Sequence, residues 1–79
     1  MPRFYFHLHN DVDTIDEEGT ALPDRSAAIE WAKVEVRAMA AESIRQHSHL
    51  VLHHSIRIED ESGEVVATVR FGDVVAVRD

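Results

Sequence analysis

The stretch Ser55-Ile56-Arg57-Ile58-Glu59-Asp60-Glu61-Ser62-Gly63-Glu64-Val65-Val66-Ala67-Thr68-Val69-Arg70-Phe71 decides the fold. Ile56 and Ile58 alternate with Ser55, Arg57 and Glu59, the period of two that sends successive side chains to opposite faces of a strand. Glu61-Ser62-Gly63 interrupts the alternation as a turn signal, and Gly63 can take a positive φ at no steric cost. A Val-rich run over residues 64–71 follows, so 54–71 reads as a β-hairpin. Its second strand is apolar on both sides, Val65, Ala67 and Val69 against Val66 and Thr68. The pattern therefore leaves its inward face open.

Upstream of the hairpin lies a helix. From residue 25 to about 46 there is no Gly or Pro and Ala is frequent. Asp24, just after Pro23, has the side chain of an N-cap that accepts orphan backbone N–H bonds. At 100° per residue Ala28, Ile29, Ala32, Val36, Met39 and Ala40 share one arc, with Glu30, Lys33 and Arg37 opposite. A second, weaker apolar stripe holds Ala27, Trp31, Val34, Ala38 and Ala41. One small sheet cannot cover both stripes. Trp31 either folds over the sheet rim or, with Val34 and Ala38, forms a surface for a second copy or another protein, since aromatic side chains anchor such patches.

At the N-terminus Phe4, Phe6 and Leu8 alternate with Arg3, Tyr5, His7 and His9, giving a strand over about 3–9. Residues 10–23 read as a solvated acidic loop, with a short extended piece around 12–15. Five of the fifteen carboxylates (Asp11, Asp13, Asp16, Glu17 and Glu18) fall within it. Residues 73–77 form a short terminal element, read as a helical turn capped by Asp73 in preference to a fourth strand. The order β-α-β-β makes one α+β domain over 1–79, a two-layer sandwich. One long amphipathic helix crosses a mainly antiparallel sheet of three strands, four if the terminal element joins it.

Composition narrows the function. A chain of 79 residues buries only roughly 60% of its unfolded surface, which favours association. Eight Lys and Arg against fifteen Asp and Glu argue against nucleic-acid binding, which rests on clustered basic side chains. Arg3, Arg57 and Arg70 would share a sheet face, but Glu59 and Glu64 offset them. There is no cysteine for a disulfide or thiolate site, no signal-peptide pattern and no apolar run long enough for a bilayer. The expectation is a cytoplasmic protein without membrane or cofactor.

Six histidines are the unusual count, in pairs at 7/9, 47/49 and 53/54. His7 and His9 lie on one strand face about 6.6 Å apart along the chain. They are the alternative metal or pH-responsive site, with Asp11, Asp13 or the later histidines as a third ligand. His47 and His49 are a poor joint site if helical, because i and i+2 do not face each other. Asp11-x-Asp13 opens like an EF-hand loop, but Ile15, Asp16 and Leu22 occupy positions that the motif reserves for a ligand, a glycine and a glutamate. No serine sits in a nucleophile elbow and no Gly-rich phosphate loop occurs. No catalytic residue is expected.

Several short runs together resemble a known family. They are Pro2-Arg3-Phe4-Tyr5-Phe6-His7-Leu8, Asp16-Glu17-Glu18-Gly19, Leu22-Pro23-Asp24 before an Ala-rich helix, and Asp60-Glu61-Ser62-Gly63-Glu64-Val65-Val66 followed by Val69-x-Phe71. The chain is similar to a bacterial domain-of-unknown-function family of very small stand-alone proteins, in which Pro often stands where this chain has Arg70. That resemblance implies a stand-alone α+β domain and transfers no site residues. A looser likeness, in fold only, is to HicB-type antitoxins, whose Gly-Cys element is absent here. The functional expectation is a non-enzymatic domain that acts through protein contact as a homodimer or with an unidentified partner, using Trp31, Val34, Ala38 and a strand edge.

Overall fold

A computed structural model describes residues 1–10 and 12–78. The strands are β1 (Arg3–His9), β2 (Thr20–Ala21), β3 (Ser55–Glu59) and β4 (Val65–Arg70), and the helices are α1 (Arg25–His47) and α2 (Phe71–Val74). All neighbours are antiparallel, in the order β2-β1-β3-β4. The result is an α+β sandwich with α1 laid over β3 and β4 and touching α2.

The fourth strand does not come from the C-terminal residues. It is Thr20–Ala21, inside the acidic segment, paired with Phe4 and Arg3. The terminal turn starts earlier than 73, at Phe71, because Phe71 and Gly72 donate back to His54 and Leu52. Asp73 does cap it, accepting the Arg70 N–H at 2.8 Å.

The core is built from the expected arc. Ala28, Ala32, Val36 and Ala40 are buried against Phe4, Phe6, Ile56, Ile58, Val69 and Phe71, with Ile29 and Met39 alongside. Three alanines let the helix backbone approach the sheet closely. Register assigns the open face of β4: Val69 stands opposite Ile56 and Ala67 opposite Ile58, so both point to the helix. A register shift between Ile58 and Glu59 then turns Val65 outward. Such a bulge at an edge strand breaks the even row of donors and acceptors another strand would need.

Asp24 caps α1 as expected, its carboxylate accepting the Ala27 N–H at 2.8 Å. Replacing it with Ala leaves that N–H without its partner, and a loss of about 1 kcal/mol in urea unfolding is the expected result. A loss below a few tenths would show that water caps this helix equally well. At the other end Ser48 takes φ 58° and ψ 20°, and its N–H bonds Ile44. This is a left-handed cap on a residue other than Gly.

Candidate functional site

The sheet face away from α1 carries the polar half of β1 and β3. His7 stands opposite Arg57, Tyr5 opposite Glu59 and His9 opposite Ser55. Among the described residues no helix covers this face, yet His7 is only 7% exposed. Its two ring nitrogens are both engaged. Nδ1 accepts the backbone N–H of Asp16 at 3.1 Å, so the proton sits on Nε2, 3.3 Å from Glu59 Oε1. The other oxygen of Glu59 lies 3.1 Å from Arg57 Nε, close enough for charge attraction but not aligned as a hydrogen bond.

This engagement bears on the metal alternative. A histidine whose two nitrogens already serve the fold has no free lone pair for an ion. His9 pairs through Nδ1 with Asp13 at 3.1 Å, and its Nε2 is buried without a hydrogen-bond partner among the described residues. Asp11, the third candidate ligand, lies outside the described residues. Among those described, no three His, Cys, Asp or Glu side chains converge as a metal site.

The residue that organises this region is Asp16, which sits among carboxylates in the segment expected from sequence to be a solvated loop. Its Oδ2 accepts the Phe6 N–H at 3.1 Å, and its Oδ1 accepts those of Glu18 and Gly19 at 3.2 and 3.0 Å. Burial by itself would raise its pKa. The three backbone donors, with His7 beside them, outweigh that and hold the carboxyl below its usual value. Asp16 thereby closes the outer edge of β1. Leu8 exchanges two backbone bonds with Thr14, Phe6 is held by Asp16, and Phe4 pairs with Thr20.

Gly19 completes the closure at φ +70°, where an added Cβ would meet Arg3 Cγ at 2.8 Å and the Phe4 carbonyl oxygen at 2.9 Å. The Arg3 guanidinium lies across the same turn, donating to the carbonyls of Glu18 and Gly19. The sequence signal for this turn is an Asp with a Gly three residues on, the pattern of a side chain that folds its own backbone. In an acidic run it is easily passed over.

On α1, Trp31 reaches back to the sheet, with its ring 4.5 Å from that of Phe6. It is still 36% exposed, and Val34 is 55% exposed. Ala38 is exposed one turn further on. The two candidate roles of Trp31 thus meet in one side chain, since it forms the core rim and shows an edge to solvent. Two open clefts flank the helix. One, of about 390 Å³, lies among Pro2, Phe4, Asp24, Arg25, Asp60 and Glu61. The other, of about 250 Å³, lies beneath the end of α1 among Leu8, Met39, His47, His54 and Phe71. In the first cleft Asp60 accepts from Ser62 and Glu64 and lies against Arg25, and Glu61 accepts the Arg3 N–H.

The remaining histidines are placed differently from expectation. Because Ser48 is left-handed, His47 and His49 are not successive helical positions. Their rings stack with centroids 5.6 Å apart and planes 29° apart. His54 is edge-on to both His53 and Phe71. No helix is long and apolar enough to cross a membrane among the described residues.

Comparison with curated proteins and with solved structures returns no match, so the likeness to HicB-type antitoxins gains no support. A family model does match, over residues 3–72, from the first residue of β1 into α2. It covers most of the chain, and the chain belongs to the family described as domain of unknown function (DUF6894).

Proposed function

We propose that this protein is a non-catalytic cytoplasmic domain that works by protein–protein association, pairing with a second copy through the α1 surface of Trp31, Val34 and Ala38. The observation that carries the reading is Trp31: a large aromatic, 36% exposed, steadied by a ring contact with Phe6. A side chain already fixed in the free protein loses little rotamer freedom on binding, which makes it a good anchor. Val34 extends the apolar area by a turn, and Ala38 lets another backbone come close.

Small size supports the same reading, because a domain with a thin core gains from burying more surface. The bulge in β4 and the Asp73 contact to Arg70 favour the helix surface over a strand edge. The non-catalytic part draws support from the acidic groups of the larger cleft, which are taken up by backbone and Arg contacts. The lack of cysteine suits a reducing cytoplasm.

Sedimentation equilibrium at micromolar concentration tests the reading. The wild type should be dimeric, and Val34→Lys should be monomeric while keeping the far-UV circular dichroism of the folded chain. Val34 is the better position to change, because Trp31→Ala also removes the Phe6 contact. A wild type that stays monomeric, or a dimer indifferent to Val34→Lys, overturns it.

A further inference from the structure

We infer that His47 and His49 form a two-imidazole clamp for a divalent transition metal of the zinc, nickel or copper class. The inference is independent of the association surface. Three observations carry it. First, the chain turns at Ser48 (φ 58°, ψ 20°), which swings His49 back alongside the last residue of α1. Second, the rings stand 5.6 Å apart between centroids. Two imidazoles on one tetrahedral zinc, each with Zn–N near 2.0–2.1 Å, have ring centres roughly 5 Å apart, so the spacing suits one ion once both rings turn about their side-chain bonds from the stacked arrangement to aim a nitrogen at it. Third, the arrangement is held from both sides: His47 by the helix, and His49 by its carbonyl, which accepts the Ser43 hydroxyl at 3.0 Å.

Both imidazoles are exposed, and among the described residues each ring contacts only the other. Their ring nitrogens are therefore available to an ion, in contrast to those of His7. The ion class follows from the donors, because neutral imidazole suits zinc, nickel and copper, whereas calcium and magnesium prefer oxygen. With two protein ligands, the remaining positions belong to water or to a group brought by the ion. The site is thus an open one. The negative end of the α1 dipole lies at the same terminus and favours a cation there.

Calorimetric titration of the untagged chain with zinc chloride and nickel chloride tests the assignment. One ion should bind per chain with a dissociation constant below about 100 μM. His47→Ala and His49→Ala should each weaken it at least tenfold, with circular dichroism melts unchanged because both side chains are exposed. His9→Ala and His53→Ala should leave it within threefold. Imidazole NMR resonances of His47 and His49 should shift together on titration. Wild-type binding weaker than about 100 μM overturns the inference, as does less than a tenfold loss in either variant. So does a loss that follows His9 instead.

Discussion

Asp16→Ala should lower the unfolding free energy by about 2–3 kcal/mol, a large effect for a carboxylate in an acidic, mostly exposed segment. The reason is its bonding. One side chain satisfies three backbone N–H groups, of Phe6, Glu18 and Gly19, and removal leaves all three without their partner. Bonds to a charged acceptor contribute about 1.5–3 kcal/mol each, and water at this partly exposed site replaces some of that. The loss also reaches β1, because Phe6 is an edge donor on the strand that carries the aromatic core. Asp16→Asn should recover only part of it, since its NH₂ must face one of the same N–H groups.

The sign of the pH dependence follows from the lowered carboxyl. A group with a folded pKa below its unfolded value of 3.8 adds stability above that value and loses it as pH falls through the folded pKa. Asp60 acts in the same direction, its carboxyl lowered mainly by the Ser62 hydroxyl. Chemical denaturation at neutral pH and again below 3.8 should show the gap between wild type and Asp16→Asn narrowing on acidification. A gap that stays constant with pH would mean that the Asp16 charge does not hold the turn.

Why Asp16 was hidden while other elements were plain is a matter of range. The hairpin and α1 are written in repeating patterns, with Ile56 and Ile58 at period two and Ala28, Ala32, Val36 and Ala40 at helical spacing. Each repeat confirms the last. The strand β2 has only two residues, Thr20 and Ala21, and exists because a side chain four positions upstream draws the chain against β1. No periodicity can announce that. The inward face of β4 was undecided because Val occupies both sides of it, and only the register with Ile56 and Ile58 resolves it.

The candidate site divides along the same line. The exposed part of α1 was legible, because Trp31, Val34 and Ala38 fall off the core arc by arithmetic. The histidines were not. His7 sits on the outward face by alternation, yet the loop that folds over it makes it a buried structural group. His47 and His49 look mismatched when the helix is continued through Ser48. They become a pair because a serine takes the left-handed cap that sequence reading reserves for Gly or Asn.

The largest stability loss is expected at Ile58, which is fully buried at the centre of β3 between Phe6 and Ala67. Ile→Ala changes in cores cost about 2–5 kcal/mol, and the position within that range depends on how far the surroundings can collapse into the space. Here they have little room to do so. The fully buried face of α1 is mostly alanine, so α1 already stands near the sheet, and its longer apolar side chains Ile29 and Met39 are only partly buried against the core. The strands on both sides are held in register by the ladder. Ile58→Ala should therefore fall in the upper half of the range. A domain of this length has roughly 4–12 kcal/mol in total, at about 0.05–0.15 kcal/mol per residue, so the variant should lose a large share of its stability. In a thermal melt each kcal/mol corresponds to about 4–8 °C, and the midpoint should drop by tens of degrees. Ile58→Val, which removes one methylene, should cost only about 0.5–1.5 kcal/mol and serves as the internal scale. If Ile58→Ala costs no more than Ile58→Val, α1 does settle onto the sheet, and the close approach attributed to its alanines is wrong.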